Sequence, residues 1–371
     1  MTYAPIVEEF LELVKIESHC RRERALADAV KTKLEALGFT VEEDQVGALI
    51  GGDTGNLIAR LEGDPERPPI LWSAHLDRVD NHGHIQPRIA DGVIRSDGSS
   101  ILGADDVSGL CAILDGLRRV QAEKIPHGDL EVVFSVAEEV GLLGARYLDY
   151  SRIKSRTAYV VDTGGPLGSI VNQAPAHYGL KLKIYGHSAH AGMEPENGLS
   201  AIRVGATALS RLREGRLSRC TTSNFGIFQA GKQANIVCDY AEITGEARST
   251  CPRELENYIE EVRLLFTKVA DEFGARMEMG TNLEYPAFRV DESEEVVRLA
   301  ALAMRRLGLS PRVIPGGGGL DGNYFNEHGI QAVGLSPGYQ KVHSSEEAQP
   351  VEDLVKMGRL VTEIMRAAAG A

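Results

Sequence analysis

Four short, nearly continuous apolar runs constrain this chain more than any other feature. They are "PPILWSA" before His75, "DLEVVFSVA" before Glu138, "TAYVV" before Asp162 and "IQAVGL" ending at Leu335. A strand that is apolar at every position, rather than at alternate ones, has to be buried on both faces. Between these runs the spacing turns helical. "VSGLCAILDGLRRVQ" places Val107, Leu110, Leu114, Leu117 and Val120 on one face, and Ile6, Val7, Phe10, Leu11 and Val14 recur in the same way near the start. Strands alternating with helices build an α/β domain with a doubly wound, mainly parallel sheet. Such sheets bind ligands beyond the carboxyl ends of their strands. Three of the runs carry polar groups at that end: His75, the pair Glu138–Glu139, and Asp162.

The pattern changes between residues 176 and 288. "GLKLKIYG" alternates Leu180, Leu182 and Ile184 with Lys181 and Lys183, as a half-buried antiparallel strand does. "NIVCDYAEITGEARS" alternates in part, and helices fit from Leu199 to Leu212 and from Arg253 to Phe273. This reads as a smaller α+β domain (176–288) inserted into a larger one made of residues 1–175 and 289–371.

Charge narrows the partners. A net charge of −13 argues against nucleic acid and against anionic membrane surfaces, both of which need clustered cations. The five cysteines, Cys20, Cys111, Cys220, Cys238 and Cys251, are widely spaced and suggest neither a disulfide framework nor a Cys-type zinc site. The opening "MTYAPIVEEFLELVKIES" is acidic and amphipathic, unlike a signal peptide, and no apolar stretch is long enough to span a bilayer. A cytoplasmic enzyme is the expectation.

Taken singly, the polar groups have ordinary readings. His75 is a loop histidine, Asp105 in "LGADDVSG" caps the following helix, Asp162 forms a turn, and "AEEVG" holds solvated glutamates. Together with His343 they make a different set: two imidazoles (His75, His343) and three carboxylates (Asp105, Glu139, Asp162). That mixture suits zinc or a similar divalent ion. Five ligands exceed one tetrahedral shell but fit two ions that share a bridging carboxylate. Asp105, in a tight turn, is the natural bridge.

The motifs "HLD", "ILGADDVSG", "SVAEEVGLLGA", "VVDTGGP", "GHSAHAGMEPENGLSAI", "NIVCDYAEITGEARS", "GGGGLDGNYFN" and "KVHSSEE" run in order along nearly the whole chain. In this order they resemble the peptidase T-like zinc metallopeptidases. That superfamily also includes carboxypeptidase G, the aminoacylases and succinyl-diaminopimelate desuccinylase. The resemblance implies that His75 and Asp162 hold one metal, Glu139 and His343 the other, and Asp105 bridges. It further implies that Asp77 fixes the His75 imidazole and that Glu138 is the general base for a water lying between the metals. The inserted domain then serves as lid and dimerisation domain. Its His190 polarises the scissile carbonyl, in relatives often across a homodimer, and Asn235 and Arg248 hold the substrate.

The expected cofactors are two divalent ions, zinc first, with cobalt or manganese as substitutes. The expected reaction is hydrolysis of short peptides, as by a tripeptidase or aminopeptidase. An N-acyl amino acid deacylase or carboxypeptidase would use the same metal site, and an inactive metal-retaining peptide-binding protein is the reading of a different class. The chain departs from the family pattern at Val107, where many relatives have Lys, and slightly in "GGLDGN". The four glycines at 316–319 would let backbone approach substrate, and Asp321 is expected to act locally.

Overall fold

The computed structural model describes residues 3–79 and 84–370. The chain divides into two compact units, one formed by Met1–Ala174 with Phe288–Ala371 and the other by Pro175–Ala287.

The first unit is built on a nine-stranded sheet among the described residues. Strand Ile70–His75 lies at its centre, parallel to Leu130–Ser135 on one side and Thr157–Val160 on the other. Gln331–Leu335 extends the parallel block beyond Thr157–Val160. Every residue of Ile70–His75 and of Leu130–Ser135 is buried. That explains the unbroken apolar runs: both faces of these strands are covered. Trp72 and Tyr159, on adjacent strands, stack with ring centroids 5.0 Å apart inside this core.

Parallel pairing dominates only in this central block. Thr40–Glu43 and Leu57–Leu61 pair antiparallel at one edge. Ser169–Ala174 runs antiparallel to Gln331–Leu335 and to Phe288–Arg289, while Arg312–Pro315 pairs with it in parallel. Helix Ala104–Ala122 differs from the one-faced helix that its spacing predicts. Leu110 to Leu117 are all buried, because strand Ile70–His75 and helices Pro5–Leu13, Arg24–Ala36 and Val351–Ala368 all contact it.

The second unit is a five-stranded antiparallel sheet, ordered Gly215–Arg216, Thr221–Ala230, Tyr240–Ser249, Ala176–Tyr185, Arg276–Tyr285. Its alternation is real. Leu180, Leu182, Ile184, Ala241, Ile243 and Ala247 bury one face against helices Ala201–Arg211 and Pro252–Phe273. The sequence reading missed Thr221–Ala230 and Arg276–Tyr285. Most of their residues are exposed or only half-buried, so the apolar pattern is weak there. Among the described residues, no helix is long and apolar enough to cross a membrane.

Candidate metal centre

The site stands at the carboxyl ends of the central parallel strands, where their backbones run out and loops begin. His75 is the last residue of its strand. Glu138 and Glu139 follow Leu130–Ser135 by three and four residues, and Asp162 follows Thr157–Val160 by two. Asp105 comes from the irregular first turn of helix Ala104–Ala122, and His343 from the connection between Gln331–Leu335 and Ala348–Pro350. Folding gathers these scattered positions into two groups. Potential ligand atoms of His75, Asp105 and Asp162 lie within 4.8 Å of one another, and so do those of Asp105, Glu139 and His343. Asp105 belongs to both. Its Oδ1 is 3.1 Å from His75 Nε2, and its Oδ2 is 3.3 Å from His343 Nε2. Glu139 Oε1 is 3.0 Å from His343 Nε2, and Asp162 Oδ1 is 3.9 Å from His75 Nε2.

The two aspartates of "GADD" divide two tasks between them. Asp105 does not cap its helix: its φ of −83° and ψ of 105° are non-helical, and it meets Asp106 through a cis peptide bond. Asp106 caps instead, accepting from Gly109 N at 3.0 Å, while its other oxygen accepts from His75 N at 3.3 Å. With the capping role filled, Asp105 can turn both oxygens toward the imidazoles.

Asp77 meets the His75 imidazole, chiefly through its backbone. The closest partner of His75 Nδ1 is the Asp77 backbone carbonyl, at 2.8 Å; the Asp77 carboxylate is 3.5 Å away. Either way Nδ1 carries the proton, and Nε2 is left to face the ligand cluster. The Asp77 carboxylate instead accepts the backbone N–H groups of Glu138 at 2.9 Å and Glu139 at 3.1 Å. Glu23 extends this grip by one residue, its Oε1 accepting from Ala137 N at 3.1 Å. Ala137 has a positive φ of 53°, so the two carboxylates clamp a loop whose entry is strained.

The electrostatics are those of a buried anionic excess. Burial, then the charges of Asp105, Asp321 and Glu139 working against His75, push Asp162 up to about 8. Burial and Asp162 hold Glu138 well above the usual carboxylate range. Hydrogen bonds to Asp105 and Glu139 push His343 up to about 10. His75 also sits well above its ordinary value: burial opposes its charge, but Asp162, Asp105 and Asp77 outweigh that. Asp105 is held well below the carboxylate range, because its bonds to both histidines overcome burial. Imidazole and carboxylate donors converging in two groups around one shared carboxylate, with surplus negative charge beside them, fit a pair of divalent cations.

Three further residues support the cluster, and two of them, Tyr339 and Glu23, carry no signal in the sequence. Tyr339 donates to Asp162 Oδ1 at 3.0 Å. Asp321, buried at the start of helix Gly322–Glu327, accepts from Ser135 Oγ. Glu23 precedes helix Arg24–Ala36. Only Asp321 falls inside a motif read above, and none shows periodicity that marks it. Val107 is buried, with 1% of its surface exposed, just after the turn that carries Asp105.

In the second unit, His190 and Asn235 come together. Ala191 N donates to Asn235 O at 3.0 Å, and Ile236 bridges His190. His190 Nδ1 accepts the N–H groups of Gly192 and Met193, both at 3.2 Å, which leaves its Nε2 as the protonated, donating nitrogen. Arg248 is elsewhere. It lies near the far end of strand Tyr240–Ser249, its guanidinium forked onto Glu246 at 3.1 and 2.9 Å and reaching Tyr285 Oη at 3.4 Å. It stands eight positions after Tyr240, roughly 26 Å of extended strand.

Comparison with known proteins agrees with this architecture. The family model "Peptidase family M20/M25/M40" matches residues 71–367. Aminopeptidase PepT from Bacillus cereus ATCC 10987 is 38% identical, with a TM-score of 0.92 over 98% of each chain. A tripeptidase from Staphylococcus aureus is 35% identical, with a TM-score of 0.95 over 99% of this chain and 98% of its own. Peptidase T of Clostridium botulinum (strain Langeland) is 25% identical over 97% of this chain and 98% of its own.

Proposed function

The chain belongs to peptidase family M20/M25/M40, and from that membership we propose that it is a two-metal peptidase acting on tripeptide-sized substrates. The observation that carries the reading is the double cluster sharing Asp105. His75 and Asp162 would hold one ion, Glu139 and His343 the other, with zinc the first choice for this donor set. Bound there, the ions supply Lewis acidity for the scissile carbonyl and make an attacking water more acidic.

The side chains do the rest. Glu138 takes the proton of the attacking water as a carboxylate and returns it to the leaving amine as the acid so formed. Asp77 and Glu23 hold the loop amides so that Glu138 and Glu139 keep separate tasks. His190, donating through Nε2, stabilises the developing oxyanion, and Asn235 and Arg248 hold the peptide backbone or carboxylate.

Those three residues favour a homodimer. An extended tripeptide spans about 10 Å. Pairing of residues 186–191 with 235–239 carries the His190–Asn235 pair past Tyr240, away from Arg248, so the two are further apart than the roughly 26 Å from Tyr240 to Arg248, and a second copy has to supply one of them. The second unit also exposes Ile227, Phe228, Ile202 and Met193. Residues 224–230 of its strand lie beyond the reach of Gly215–Arg216, which pairs only with residues 222 and 223. The proposed setting is the cytoplasm, which suits five free thiols.

The test is a length series of peptides, with N-acyl amino acids as comparison, given to metal-loaded wild type and Glu138→Gln and followed by product mass. Tripeptides should be the best substrates. Glu138→Gln should lose about 10²–10⁴-fold in rate while its metal content stays the same. Preference for N-acyl amino acids would replace this reading with the deacylase. Tight peptide binding by wild type without any products would replace it with the binding protein.

A further inference from the structure

Asp105 is common to both ligand groups, yet its backbone, like that of Asp106, is outside the helical conformation of the residues from Val107 on. Glu347 holds it in place. The Oε2 atom of Glu347 accepts from Leu102 N at 2.8 Å and Gly103 N at 2.7 Å, and Oε1 accepts from Asp105 N at 3.1 Å. The side chain is buried, with 1% of the residue exposed. A carboxylate taken so far from water is costly unless its oxygens are bonded, and three amides pointing at it meet that need.

Glu347 lies four residues after His343 in "HSSEE". Gln340 and Ala348 bond to each other in both directions, at 2.8 and 3.0 Å, and so close the segment between them. Its last residue leads into strand Ala348–Pro350, which pairs with Val93–Arg95. One closed loop therefore presents His343 to the shared carboxylate and Glu347 to the turn that carries it. The neighbour Glu346 is different: its side chain is 70% exposed and pairs with Lys341 at 2.7 Å.

We infer that Glu347 is a positioning residue of the metal centre: it fixes the turn bearing Asp105 to the loop bearing His343, so that both ion positions are set together. The inference rests on the two-metal reading above. Without Glu347, three inward-pointing amides lose their acceptor and the bridging carboxylate loses its backbone anchor. Groups that orient metal ligands are typically worth about 10–100-fold in metal affinity.

Full-length wild type, Glu347→Ala, Glu347→Gln and Glu346→Ala would be stripped of metal and titrated with Co2+. Calorimetry gives stoichiometry and affinity, and the visible spectrum of bound cobalt reports ligand geometry. Glu347→Ala is expected to bind at least one ion about 10–100-fold more weakly, with an altered spectrum, while Glu346→Ala behaves as wild type. Circular dichroism establishes that each variant is folded. Should Glu347→Ala not fold, Glu347→Gln carries the test, since it keeps the volume and one acceptor oxygen, and a smaller loss in the same direction is expected. A folded Glu347 variant with wild-type affinities and spectrum overturns the inference. If wild type itself takes up no pair of cobalt ions, it is the two-metal reading that fails, and the two failures are thereby told apart.

Discussion

At the residue scale, neighbours of the same type end with opposite tasks. Asp105 and Asp106 differ in which backbone groups surround them, and Glu138 and Glu139 differ in which imidazole is near. The motif points Asp105 toward the metals, although capping is the simpler role for a lone Asp there; the structure gives capping to Asp106. Protonation is decided at the same scale. His343 is raised to about 10, chiefly by its bonds to Asp105 and Glu139. A raised imidazole stabilises the metal-free fold below its ordinary pKa of 6.5, and that contribution is lost as pH climbs through about 10. His75 is shifted the same way. At neutral pH both rings therefore keep protons that an arriving metal must displace. Metal affinity should rise between pH 6 and pH 8, with protons released on binding. Titration heats that do not change between buffers of different ionisation enthalpy would contradict this.

At the element scale, helix Ala104–Ala122 decides how closely the site's scaffold packs. Its buried faces leave no room at Gly116, where an added Cβ would stand 2.4 Å from the Val361 side chain and 3.0 Å from Gly358 O. Gly116→Ala should therefore destabilise the protein by about 1–3 kcal/mol through overpacking, read as a lower urea midpoint with an unchanged slope. An unchanged midpoint would mean that helix Val351–Ala368 yields easily. The apolar spacing announced this helix, but counting one face could not reveal that the other faces are covered as well. Exposed strands were the weakest part of the reading for the converse reason: Thr221–Ala230 buries little, so its sequence is scarcely patterned.

At the scale of the whole molecule, the dimer proposal rests on the second unit. Ile227 is 52% exposed and Phe228 39% exposed, on a strand whose outer edge beyond residue 223 has no partner strand among the described residues. Replacing both by Asp should convert a dimer to a monomer in sedimentation and depress peptide hydrolysis, because His190 and Asn235 would no longer serve a second copy. A monomeric wild type with full activity would remove the case for action between copies.

The sequence by itself determined the α/β class, the strands that end at the site and the residues with ligand chemistry, because burial on both faces and donor type are written locally. Only the tertiary structure decided which oxygen faces which imidazole, that the Asp77 carboxylate grips the Glu138–Glu139 amides while its carbonyl meets His75, and that Glu347 anchors the Asp105 turn. Apart from the His75–Asp77 contact, two positions apart, those contacts join residues about 30 to 240 positions apart. They depend on how the loops close in space, and residue spacing along the chain does not encode that closure.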